Sequence, residues 1–292
     1  MSERLIFGSD FDGTYRTEAA VLPRDLKAAS EFRRRGNLFG IVTGRNVCEA
    51  KRRVVSMLEG EFDFLLCSNG AVCIMPDGKI LFSDLAPAER ILDLYDTVVR
   101  LSGGRVFVDV TGCGSGICPG TGDSGGISAL ENMHAGGADA DAGEFSGDAD
   151  VMEYTDGGPA CVKVRREFLG NVKLFTQFSA LFPRDAAVGA AEEINREFAG
   201  LYEAHVAHTC VDITASGVNK ASGLLKYAKT VGVPRENIFT AGDSRNDLQM
   251  LRAFNGLAME GSDDVVLDSA LAVVGHVAEA LSLAESGSVR RA

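Results

Sequence analysis

Apolar residues in the first third of the chain come as short unbroken runs, and the stretches between them carry helical spacing. Residues 5–11, 38–42 and 64–67 read as strands. Residues 23–36 and 46–58 read as helices, with Pro23 opening the first and Gly36 and Gly60 marking where each stops. Strand–helix–strand at this spacing implies right-handed crossovers and a parallel sheet covered on both faces. The same grammar returns near the C-terminus, with a helix over 220–230, a strand over 238–241, a helix containing 248–254 and short strands at 256–259 and 271–274.

Between these halves the pattern changes. Helices are expected at 88–101 and 185–198, strands at 105–110 and 172–177, and a strand pair around 202–213. This middle reads as an inserted α/β domain over 84–209, within a discontinuous α/β core formed by 1–83 and 210–292. Residues 111–160 hold more than a third of the 34 glycines, together with Asp139, Asp141, Asp148 and Asp150. A solvated surface excursion is preferred to a lid, and calcium binding is disfavoured because the EF-hand spacing is missing. Gly112-Cys113-Gly114-Ser115-Gly116 lacks the strand-then-helix setting of a dinucleotide loop.

Composition narrows the partners. A net charge of −12 argues against nucleic acid, whose backbone calls for clustered Lys and Arg, yet leaves room for a small anion in a local cationic pocket. No apolar stretch is long and uncharged enough to span a bilayer, since residues 265–284 are broken by Asp268, His276 and Glu279. Seven scattered cysteines, with Cys48, Cys67 and Cys73 in or beside core elements, fit a reduced, cytoplasmic protein without a secretory signal.

Candidate chemistry gathers at strand ends. The first strand runs into Asp10-Phe11-Asp12-Gly13-Thr14, where alternation sends both carboxylates to one side and Gly13 lets the chain turn. Ligands in open parallel sheets bind at this end. Asp-Gly alone is a common turn, but three further sites fall in matching places. Thr43-Gly44-Arg45 follows the second strand and opens a helix, a setting suited to an anion. Lys220 begins a helix, where a cation is unfavourable. Gly242-Asp243-Ser244-Arg245-Asn246-Asp247 follows another strand, and its carboxylates suit a hard cation such as Mg2+. His205 and His208 read as a coincidental pair and not as a zinc site.

These four sites, in this order, resemble the haloacid dehalogenase (HAD) superfamily of phosphatases, and more closely its Cof-like subfamily with a large α/β cap between the second and third motifs. Cys67-Ser68-Asn69-Gly70-Ala71 and Gly256-Leu257-Ala258-Met259 support the resemblance. It implies a Rossmann-like parallel-sheet core with an inserted α/β cap, and Mg2+-dependent hydrolysis of small phosphate monoesters such as sugar phosphates. By resemblance, Asp10 is the nucleophile, Asp12 the general acid and then base, and Thr43 and Lys220 hold the phosphate. Gly13, Gly44, Arg45 and Asn246 contribute to phosphate binding, and Asp10, the Asp12 carbonyl, Asp243 and Asp247 surround the ion. Tyr15, Arg245 and Glu260 depart from the usual pattern and are expected to tune the site. A phosphohexomutase-type transfer and a non-catalytic phosphometabolite-binding protein are the alternatives.

Overall fold

Ile6–Ser9 occupies the middle of an eight-stranded sheet, because its residues are buried on both sides and accept a parallel neighbour along each edge. The structure, a computed structural model, describes residues 4–17, 20–103, 106–109, 151–152, 163–164, 166–170 and 172–291. Most of the 111–160 excursion, with its glycines and aspartates, lies outside the described residues.

The sheet runs Ala272–Val274, Asn255–Met259, Ile238–Gly242, Ile6–Ser9, Leu38–Val42, Phe64–Cys67, Val72–Ile74, Ile80–Ser83. The first six strands are parallel, and the last two are antiparallel. The sequence reading expected parallel strands only. The difference follows from connection length, since 68–71 is too short for a crossover and must reverse the chain.

Strand alternation divides the core between two faces. Phe7, Phe39, Ile41 and Leu65 pack under the helices Pro23–Arg34 and Val277–Ser286. Ile6, Leu38, Val42 and Phe64 face the helix Lys220–Val231 through Leu224 and Tyr227. Each fully buried side chain of this size contributes roughly 1.5–3 kcal/mol relative to exposure. Residues 47–57 are helical with an inserted π turn at Ala50–Val54. Tyr15, expected to tune the site, is fully buried in the core with its ring 5.1 Å from that of Phe39.

A second sheet orders Tyr202–Ala207, Cys210–Ala215, Gln177–Leu181 and Val106–Asp109, all antiparallel. The helices Ile91–Ser102 and Ala187–Glu197 cover it around Leu94, Val98, Phe178, Ile194 and Ile213. This apolar cluster draws its residues from 86–215 and is separate from the two that flank the large sheet. Strand Cys210–Ala215 belongs to the smaller sheet, which therefore runs past residue 209. The expected strand over 172–177 is two short ones, Leu174–Phe175 against Ala86–Pro87 and Gln177–Leu181 in the smaller sheet.

Candidate active site

Alternation along the first strand carries Ile6 and Gly8, and then Asp10, toward the face covered by Lys220–Val231. That helix begins with Asn219, whose side chain accepts from the Ser222 amide in a capping box. The cap fixes Lys220 at the first turn, pointing under the sheet's carboxyl end. Lys220 is 0 % exposed, and its Nζ donates to Asp10 Oδ1 at 2.5 Å and Asp247 Oδ1 at 2.7 Å. A lone helix lysine is usually solvated; this one is a buried ammonium held by two carboxylates.

Asp243 and Asp247 come from the loop after Ile238–Gly242. Asp247 Oδ2 accepts the amides of Asp243 and Ser244 at 3.1 and 3.0 Å, which ties the loop around it. Asp243 Oδ1 accepts from Thr14 Oγ1 at 2.7 Å. Gly13 passes so close that a Cβ there would collide with the Asp243 carboxylate, and its φ of +89° independently favours glycine.

Asp10, Asp243 and Asp247 each offer an oxygen within 4.8 Å of the others. Burial drives the Asp10 carboxyl well above its ordinary range, with Lys220 opposing and Asp247 and Asp243 adding to the rise. Burial and Asp247 likewise raise Asp243. Burial would pull the Lys220 ammonium down, but Asp10 and Asp247 hold it above its usual value. One ammonium among three carboxylates leaves two negative charges uncompensated when all are ionised. An all-oxygen set with that excess fits a hard divalent cation such as Mg2+.

Asp12 is placed differently. Its carboxylate accepts from Arg45 Nε at 2.6 Å and Nη2 at 3.0 Å, and from Arg16 Nε at 2.9 Å. Burial alone would raise Asp12, yet Arg45 and Arg16 bring it below its ordinary value. Its side chain stands outside the three-carboxylate cluster.

Thr43, Gly44, Arg45 and Asn246 line a cavity of about 380 Å3 with Asp10 and Asp12. Its opposite wall comes from the smaller sheet through Gln177, Ser179, Leu181, His208, Cys210 and Asp212. Arg245 and Glu260 instead line a neighbouring cavity of about 300 Å3 with Gly13 and Asp243. The two histidines part: His205 is buried against Thr214 and the Val218 carbonyl, whereas His208 Nε2 lies 3.5 Å from Asp243 Oδ2.

The sequence reading did not single out Asp212, Gln177 or Ser179, and it took His208 only as half of a coincidental pair. Asn69, quoted only for resemblance, is buried with its side-chain amide donating to Asp212, which lines the cavity. Asn69 follows a strand's carboxyl end, the same signal that marked the other sites. Asp212 lies mid-strand between buried Val211 and Ile213, where a polar residue reads as a solvent-facing position.

A family model described as haloacid dehalogenase-like hydrolase matches residues 7–113 and 164–285. Over 57 residues the chain is 49% identical to a 5-amino-6-(5-phospho-D-ribitylamino)uracil phosphatase of Bacillus subtilis (strain 168), which covers 19% of this chain and 21% of that protein. Over 69 residues it is 39% identical to a pyridoxal phosphate phosphatase of Escherichia coli (strain K12), covering 23% and 25%. These matched stretches therefore span about a quarter or less of each relative. Among solved structures, a HAD phosphatase from Bacteroides thetaiotaomicron superposes with a TM-score of 0.68 at 20% identity, over 98% of this chain and 96% of that one. A HAD subclass IIB sugar phosphatase superposes with a TM-score of 0.67 at 18% identity, over 97% and 99%. At such identities the likeness concerns the fold.

Proposed function

This chain belongs to the haloacid dehalogenase-like hydrolase family, and from that premise we propose that it is a Mg2+-dependent phosphatase acting on small phosphate monoesters through an aspartyl-phosphate on Asp10. The observation that carries the reading is the meeting of Asp10, Asp243, Asp247 and Lys220 from three distant stretches of the chain, with Asp10 also lining the cavity that holds Asp12, Thr43 and Asn246. The phosphatase names of its relatives and the sugar phosphatase among its structural neighbours support the substrate class.

In this reading an Asp10 oxygen attacks phosphorus and the bond to the leaving oxygen breaks, while Asp12 gives that oxygen a proton. Water then attacks the phosphorus and yields a proton to Asp12, and the Asp10–phosphorus bond breaks to release inorganic phosphate. Lys220, Thr43, Gly44 and Asn246 hold the phosphoryl oxygens, and charge placement dominates because the transferred group carries the charge. Asp10, Asp243, Asp247 and the Asp12 carbonyl would hold the cation, which supplies positive charge to the same oxygens when bound.

Asp12 is ionised while Arg45 and Arg16 grip it, so protonating a leaving group requires that grip to loosen. Arg45 lines the cavity, and an anionic substrate competes with Asp12 for its guanidinium. The unit proposed as the cap faces the leaving group with Gln177, Ser179, Leu181 and His208, which makes it the source of specificity. A cavity of about 380 Å3 suits a small metabolite.

The test is phosphate release across a panel of phosphorylated metabolites, with Mg2+ and after chelation. Release that depends on Mg2+ supports the reading. Isomerised sugar phosphate without release would favour the mutase, and tight binding without turnover would favour a binding protein.

A further inference from the structure

Asp212 is 5 % exposed and makes no hydrogen bond to Asp10, Asp12, Lys220, Asp243 or Asp247, yet its two oxygens accept four hydrogen bonds. Ser179 Oγ at 2.7 Å, Gln177 Nε2 at 3.0 Å and Cys210 Sγ at 3.3 Å converge on Oδ1. These come from the smaller sheet. Oδ2 accepts from Asn69 Nδ2 at 2.9 Å, across the boundary to the large sheet. A buried carboxylate needs such donors, because without them its desolvation would cost several kcal/mol.

The bond to Asn69 has a consequence beyond satisfaction. A carboxylate can only accept, so the Asn69 amide must present its nitrogen to Asp212 and its oxygen the other way. That oxygen accepts from Asn246 Nδ2 at 3.2 Å. Asn246 must then turn its own oxygen outward, where Ser244 Oγ donates to it at 2.6 Å. The charge on Asp212 thus sets the direction of two amides in succession. It leaves the second N–H of Asn246, which has no acceptor among the described residues, for a ligand in the cavity that Asn246 lines.

The same carboxylate also controls the loop after Leu38–Val42. Gln177 Nε2, held on Asp212, donates to the Gly44 carbonyl at 3.0 Å. Asn69 and Ser68 donate their amides to the carbonyls of Thr43 and Arg45 at 3.1 and 2.8 Å. Both adopt left-handed backbone, with φ of 51° and 50°, a conformation costing about 1–3 kcal/mol for residues other than glycine. A Cβ at Gly44 would run into Asp212 Oδ2 and close against the amide nitrogens of Asn69 and Asn246. Three members of one network therefore converge on the α-carbon at the centre of the anion-binding loop.

Resting on the phosphatase reading, we propose that Asp212 is a positioning residue, orienting Asn69 and Asn246 and fixing Gly44 so that the loop and the second amide are ready for phosphate. The carboxylate acts at a distance from phosphorus and exchanges no proton with the substrate. Asp212→Asn keeps the shape but replaces one acceptor by a donor, which conflicts either with Asn69 or with Gln177. Asn69→Ala cuts the relay one step further on and leaves three of the four donors to Asp212 in place.

The test is the affinity of the full-length protein for inorganic phosphate with Mg2+ present, measured by calorimetry, alongside Mg2+ affinity and the melting midpoint. Asp212→Asn should weaken phosphate about 10- to 100-fold, the range for a lost hydrogen bond to a charged group, with Mg2+ affinity unchanged. Asn69→Ala should do the same, and the double variant should lose no more than either single one. Should Asp212→Asn not fold, Asn69→Ala carries the test alone. Wild-type phosphate affinity in a folded variant, even with a lowered midpoint, would overturn the proposal and leave only a structural role. If the wild-type protein binds phosphate but hydrolyses no monoester, the phosphatase reading fails while the positioning proposal still stands or falls on the binding data.

Discussion

Lys220 Nζ lies 2.5 Å from Asp10 Oδ1 although 210 positions separate the two residues in the chain. The contact closes the distance between the first strand and the helix that follows the smaller sheet. It also sets the electrostatics of the site, since this buried ammonium is shared with Asp247 and stands against three carboxylates.

Removing that ammonium should therefore be costly in stability as well as in turnover. Lys220→Met is expected to destabilise the metal-free protein by roughly 3–5 kcal/mol, the range for breaking a buried ion pair. Mg2+ should restore part of the loss by neutralising the same carboxylates. Urea midpoints with and without Mg2+ measure both effects, and a midpoint equal to that of the wild type would contradict this assignment of the charges.

Thr14 does not belong to the three-carboxylate cluster, but its hydroxyl aims the Asp243 carboxylate at 2.7 Å. Groups that orient a ligand from behind typically contribute about 10- to 100-fold in metal affinity. Thr14→Val should weaken Mg2+ binding within that range while keeping the fold. Asp243→Asn should weaken it at least as much. Calorimetric titration decides, and unchanged affinity in both variants would remove Asp243 from the metal site.

The raised carboxyls of Asp10 and Asp243 give a signed pH dependence. Above the ordinary aspartate value the folded metal-free protein still holds protons that the unfolded chain has lost. Stability therefore falls as pH rises from that value through the folded-state ones. A cation demands ionised carboxylates, so its stabilising effect should grow over the same interval. Melting curves in chelator and in Mg2+ across acid to neutral pH test this. An increment from Mg2+ that stays flat with pH would count against it.

Asp12 behaves oppositely, being held low by Arg45 and Arg16. Arg16 is the better probe, because it is absent from the substrate cavity lining. Arg16→Met should raise Asp12, since burial then acts with less opposition. The alkaline limb of the kcat/KM profile, where the acid loses its proton, should move to higher pH. A limb that stays in place would mean that Asp12 is not the group titrating there.

Much of this arrangement was legible before any coordinates. Leu38–Val42 and Phe64–Cys67 could be placed to the residue because strands covered on both faces are continuous apolar runs. Asp10, Asp243 and Asp247 stood out because acidic residues at the ends of such runs need compensation. The hairpin Val72–Ile74 to Ile80–Ser83 was missed even though Pro76-Asp77-Gly78 lies at its turn. Its edge strand, Ile80-Leu81-Phe82-Ser83, is only partly covered, and a run of three apolar residues is too short to separate a strand from a loop by periodicity. Asp212 and Gln177 were not legible, since their roles arise only where the smaller sheet meets the loops of the larger. Lys220 shows the same limit, because burial of a helix-opening lysine depends on what packs over it.

The most direct measurement is chemical trapping at the first strand's end. Protein mixed with a hydrolysed monoester and Mg2+, quenched in acid and reduced with borohydride, should yield a peptide in which Asp10 has become homoserine. Asp10→Asn should yield no reduced residue and almost no phosphate. Rapid phosphate release with no reduced Asp10, or with the modification on another residue, would contradict the nucleophile on which the account rests.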